Sequence, residues 1–143
     1  MIRVRARLRR HRMREMNMTL VTGAGLAYLI CALGIVVFHI AMLLGAPWGH
    51  LTMGGVYKGR YTGARKLLSV AQIAVIAALA IVVAGVAGFI GWTPPGWALW
   101  LVLAVSGLSV LANGATPSAP ERQIWLPVTL VMFFAVLALA TLG

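Results

Sequence analysis

The chain has 143 residues, of which 62% are hydrophobic and only 10% charged. A soluble domain carries about 25% charged and 45–50% apolar residues, so this excess leaves too little polar surface to cover a globule and excludes an ordinary soluble fold. Its 12 Lys and Arg stand against two acids, Glu15 and Glu121, for a formal charge of +10. The bases sit outside the apolar stretches, so anionic lipid headgroups are the expected partner and nucleic acid is not.

The chain opens with MIRVRARLRRHRMREM, which holds seven arginines (Arg3, Arg5, Arg7, Arg9, Arg10, Arg12 and Arg14) and one acid. On a helix the arginines go all the way round and leave no amphipathic face. Residues 1–18 are therefore expected to be an irregular polybasic arm on headgroups, at about 1 kcal/mol per base. The apolar run after it is too long for a cleaved signal peptide, and a retained signal anchor fits better.

Four uncharged apolar stretches follow, at about 19–45, 67–92, 97–113 and 124–142. A bilayer core takes roughly 20 helical residues to cross, and backbone groups in lipid must be satisfied within the segment. The expected fold class is all-α, an integral membrane four-helix bundle with short connections, in one domain over 19–143. Between the spans lie 46–66, with Pro47, several glycines and four bases; the turn Thr93-Pro94-Pro95-Gly96; and the polar loop 114–123 with two prolines. Trp48, Trp92, Trp97, Trp100 and Trp125 fall near span ends, as interfacial aromatics do. Small residues recur every four positions at Gly23, Ala27 and Cys31 and at Ala80, Ala84 and Gly88. Packing inside the bundle is expected there, ahead of a dimer face. The lone Cys31 is read as a small hydrophobe in a helix interface.

An even number of spans puts the N-terminus, the Pro-Pro turn and the C-terminus on one side, and the first and third loops on the other. Seven arginines against Lys58, Arg60, Arg65, Lys66 and Arg122 favour a cytoplasmic N-terminus. A start at Met16 or Met18 would invert that count.

Polar residues within the spans gather at one end. His39 in the first span, Ser69 and Gln72 in the second, Ser109 and Asn113 in the third and Thr129 in the fourth all lie toward the first and third loops. Any functional site is expected on that side. Glu121 is the only acid near five bases, so an ion pair with Arg60, Arg65 or Arg122 is expected, locking the two loops together. The candidate ligand-binding set is His39, His50, Lys58, Arg60, Arg65, Asn113, Glu121 and Arg122, with an anion or anionic headgroup as ligand. His39 is the one ionisable group within a span, placed to hydrogen-bond Asn113, Gln72 or water. His39 and His50 lack companion carboxylates or thiolates, so no metal or other cofactor is expected. No Ser-His-Asp set can be assembled, and catalysis is not expected.

Two loop motifs carry a resemblance. Gly45-Ala46-Pro47-Trp48-Gly49 with Gly54-Gly55 after span one, and Asn113, Pro117-Ser118 and Glu121-Arg122 before span four, resemble those of a widespread group of small, uncharacterised bacterial membrane proteins with four spans. The resemblance runs from Thr19 onward and omits the arginine arm; it implies a multi-pass protein of a bacterial inner (plasma) membrane and this topology, and no mechanism. The leading expectation is a non-enzymatic accessory or assembly subunit, packed against a larger protein partner or a second copy. The alternative is a binding or transport protein for an anion or anionic headgroup between the first and third loops.

Overall fold

The computed structural model describes the backbone of residues 2–142 and the side chains of residues 9–142. The side chains of Arg3, Arg5 and Arg7 lie outside the described residues. Four helices account for nearly all of it: α1 (Ile2–Leu43), α2 (Ala64–Val86), α3 (Gly96–Ala115) and α4 (Ala119–Leu142). All four are long and apolar enough to cross a membrane, and the protein is a small multi-pass membrane protein built as an all-α four-helix bundle.

The arm is not irregular. At 42 residues α1 is about 63 Å long, roughly twice the thickness of a bilayer core, so its N-terminal turns continue the membrane helix into the aqueous phase. Nothing in residues 2–18 breaks a helix: there is no Pro or Gly, and arginine is a good helix former. The second span is shorter than expected, ending at Val86 and not Trp92. Gly88 takes φ +76°, Phe89 N–H donates to the Ala84 carbonyl at 2.9 Å and Gly88 N–H to the Gly85 carbonyl at 3.1 Å. That pairing is a Schellman stop, which needs a left-handed residue just past the helix end. Gly45 (φ +103°) ends α1 identically, with Ala46 N–H on the Ala41 carbonyl and Gly45 N–H on the Met42 carbonyl, and Pro47 follows at once.

The third connection shrinks to three residues. Its polar stretch is helical at both ends: α3 runs through Asn113 to Ala115, and α4 starts at Ala119. The start is set by Ser118, whose Oγ accepts the Glu121 backbone N–H at 3.4 Å while its carbonyl accepts Arg122 N–H at 2.9 Å. A serine three residues before a glutamate is the signature of such a cap.

Packing is uneven. α1 lies against both α2 and α4, and α4 against α3, while α2 and α3 barely touch. The core joins Tyr28, Ala32 and Ile35 of α1 to Leu79 and Val83 of α2, Val102 of α3 and Val136 and Leu139 of α4. Of the small-residue rows, Cys31, Ala80 and Ala84 do pack in the bundle, whereas Gly23 faces open space.

Candidate functional site

The first loop folds into a cap. Two short 3-10 turns, Gly49–Leu51 and Met53–Gly55, bring Gly49 N–H onto the Gly59 carbonyl at 3.0 Å. A side chain at Gly49 would stand 2.6 Å from the Tyr57 carbonyl oxygen, so the loop closes only around a glycine. Tyr61 is buried beneath it and hydrogen-bonds Thr52 Oγ1. Phe38 of α1 stacks on Trp48 of the loop and meets Trp125 of α4 edge-on, with ring centres 5.7 and 4.7 Å apart. Trp125 Nε1–H then donates to the Leu51 carbonyl at 2.8 Å.

Neutral hydrogen bonds, not an ion pair, hold the two loops together. Ser118 Oγ donates to the His50 carbonyl at 3.4 Å, and Gly54 and Gly55 lie against Pro117 and Ser118. The expected pair of Glu121 with Arg60, Arg65 or Arg122 does not form: among the described residues no base comes within ion-pair distance of it. Arg122 instead donates to the Thr116 carbonyl at 2.9 Å, and the Arg65 guanidinium lies 3.7 Å above the Tyr57 ring. Glu121 sits in the first turn of α4 and points inward, only 8% exposed. Oε2 accepts the Thr116 hydroxyl at 3.1 Å.

Under this cap, where α2 and α3 part, lies a cavity of about 440 Å³, within the range of small-molecule sites. All six polar span residues picked out from the sequence line it: His39, Ser69, Gln72, Ser109, Asn113 and Thr129. His39 Nδ1 pairs with Ser69 Oγ at 3.3 Å, not with Asn113 or Gln72. Ser109 and Thr129 turn their hydroxyls back to their own helices' carbonyls, and Asn113 donates its amide to the Ser109 carbonyl. The Asn113 side-chain oxygen stays free of that bond. Ile35, Val75, Ile76, Leu79, Val105 and Met132 make the middle apolar, and Leu51, Thr52, Met53 and Tyr61 roof it. Leu68, Ala71, Gln72 and Val75 line the cavity yet are exposed or partly so, so it opens past α2 toward lipid.

Of the eight candidate residues, His39, Asn113 and Glu121 come together on this cavity. His50, Lys58, Arg60, Arg65 and Arg122 do not line it; all but half-buried Arg65 are exposed around the loops. Tyr28 and Ser106 at the floor, like Thr52 and Tyr61 at the roof, line the cavity without standing out in the sequence. Tyr28 and Ser106 lie deepest, Tyr28 fully buried and Ser106 5% exposed. The Tyr28 hydroxyl faces Ser106 but lies outside hydrogen-bond geometry with it. A mid-span tyrosine or serine is as common in helix packing as in a site, and only the tertiary structure separates the two.

No set of three metal-ligating side chains is grouped among the described residues. What the arrangement offers chemically is binding: a carboxylate and a cluster of hydroxyl, amide and imidazole groups at the capped end, an apolar middle and one unmet hydroxyl at the floor. No protein-family model, curated protein or solved structure matches this chain.

Proposed function

We propose that this protein is a small intramembrane binding protein that takes one amphipathic molecule from the leaflet beside its first and third loops. The observation that carries this is the cavity between α2 and α3, open toward lipid and polar only toward its ends. A ligand slides in past Gln72 and Val75, leaves its head under the cap and lays its apolar part along Ile35, Ile76 and Met132. The bases around the mouth, Lys58, Arg60, Lys66 and Arg122, hold neighbouring phospholipid headgroups at the rim and draw no anion inside. With the arginine helix cytoplasmic, as its positive bias favours, the mouth faces the outer leaflet of a bacterial inner membrane. The resemblance of the loop motifs to small four-span bacterial proteins agrees with that setting.

The accessory-subunit reading is supported by small size and small-residue helix faces, and no feature specific to a protein partner favours it over the cavity. Purification in native nanodiscs, followed by mass spectrometry of what is retained, separates the two. The wild type is expected to carry one small amphipathic molecule per chain. Gln72→Trp, which places an indole across the mouth from an exposed position, is expected to cut that retention about tenfold or more with little change in melting temperature. Recovery of a stoichiometric polypeptide with no small molecule would overturn the proposal in favour of the accessory role.

A further inference from the structure

Two buried polar groups sit at opposite ends of the cavity: among the described residues, a carboxylate with no counter-charge and a hydroxyl with no hydrogen-bond partner. Glu121, at the capped end, is a carboxylate 8% exposed with a single side-chain donor, Thr116. Its isolation is a property of the fold and not of composition. Five bases occupy the same end of the molecule, yet Arg122 is drawn off to the Thr116 carbonyl and Arg65 to the Tyr57 ring. Among the described residues, neither lysine nor arginine lines the cavity. A buried charge without a counter-charge is among the costliest features a protein can hold. The α4 N-terminus, with its unpaired backbone N–H groups, and the Thr116 hydroxyl offset part of that cost; no counter-charge among the described residues offsets the rest.

At the other end, the Tyr28 hydroxyl is fully buried and makes no hydrogen bond. A phenolic O–H needs an acceptor, and Ser106, which stands beside it, lies outside hydrogen-bond geometry. Along α1 the rise from Tyr28 to His39 is about 16 Å, and the walls between are apolar: Ile35, Ile76, Leu79 and Met132.

Resting on the binding function proposed above, we infer that the ligand class is an elongated, apolar-bodied molecule with a protonated amine at one end and a carbonyl-type acceptor at the other. The amine sits against Glu121, where its N–H groups meet the open carboxylate oxygen. The acceptor takes the Tyr28 O–H. The apolar body spans the distance between them. One molecule of this kind neutralises the Glu121 charge and pairs the Tyr28 hydroxyl, which an anionic lipid cannot do and a simple hydrocarbon leaves undone.

The test uses the full chain in nanodiscs and a matched probe set of equal tail length: the methyl ester of ω-aminolauric acid, dodecylamine, methyl laurate and laurate, with dissociation constants from native mass spectrometry. The amino ester is expected to bind most tightly and laurate most weakly. Glu121→Gln is expected to remove the advantage of the amino ester over methyl laurate, about tenfold or more for a bond to a charged group. Tyr28→Phe is expected to remove its advantage over dodecylamine, about three- to tenfold, while leaving the other comparison intact. Should Glu121→Gln fail to fold, the wild-type ratio of dodecylamine to laurate decides the charge preference alone. Probes that bind equally well, yet are all displaced by Gln72→Trp, overturn this ligand class and leave the binding function standing. Probes that ignore Gln72→Trp as well overturn both.

Discussion

Trp125→Ala is expected to destabilise the protein by about 2–3 kcal/mol, below the cost of a fully buried Trp→Ala change because the indole is half-buried, lowering the melting temperature by roughly 5–10 °C. The indole performs two tasks at the junction of α1, the first loop and α4. Its edge packs on Phe38, which is itself stacked on Trp48. Its N–H satisfies the Leu51 carbonyl at 2.8 Å. Truncation removes both at once and leaves the carbonyl facing a void. The cap over the cavity should then open, so amide exchange across residues 48–62 is expected to accelerate more than exchange in α3. Trp125→Phe separates the contributions: it keeps the ring contact and loses the N–H, costing about 0.5–1.5 kcal/mol beyond any repacking. If Trp125→Ala melts with the wild type and leaves loop exchange unchanged, this aromatic cluster is not what secures the cap.

The membrane architecture is legible in the sequence because it rests on gross physics. Runs of about 20 uncharged apolar residues separated by Pro, Gly and bases leave few alternatives. The side of the site is legible for a related reason. His39, Ser69, Gln72, Ser109, Asn113 and Thr129 are each costly in lipid, and their common level shows that something polar gathers there. What the sequence conceals are choices between near-equal local options. The expected Glu121 ion pair rests on a lone acid sharing one side of the membrane with five bases. Yet Arg122, the nearest base, finds a backbone carbonyl at Thr116 that needs a donor, and the Glu121 carboxylate turns inward to the Thr116 hydroxyl. The Ser118 cap is visible as Ser118-Ala119-Pro120-Glu121, a capping pattern, but two prolines nearby make the stretch look like loop. Pro120 is tolerated in the first helical turn because a backbone N–H there has no helical acceptor. Tyr28 is the clearest case of concealment, since nothing in its neighbours marks an orphaned hydroxyl.

The small-residue rows teach the same lesson and lead to the second large effect. Sequence spacing singles out Gly23, whereas the close approach in the structure is at Gly25. A Cβ on residue 25 would stand 2.6 Å from the Ala87 Cβ and 3.0 Å from the Phe89 ring. Both neighbours are held by the Schellman stop at the end of α2, so neither can retreat cheaply. Gly25→Leu is therefore expected to cost about 3 kcal/mol, at the upper end of ordinary overpacking. Gly25→Ala should cost less, because the added methyl also raises helix propensity by roughly 1 kcal/mol. Gly23 and Gly34, on the same helix, have nothing within 4 Å of where a Cβ would stand, and alanine there should gain that propensity without the clash. Thermal melts of the three alanine variants and of Gly25→Leu, in one detergent, check the ordering. Gly23→Ala and Gly34→Ala are expected at or above the wild type and both Gly25 variants below it, with leucine lowest. A Gly25→Leu protein as stable as the wild type would mean that α1 and the end of α2 are not held in contact. The bundle would then be open at that end, and the cavity floor at Tyr28 would lose the packing that closes it.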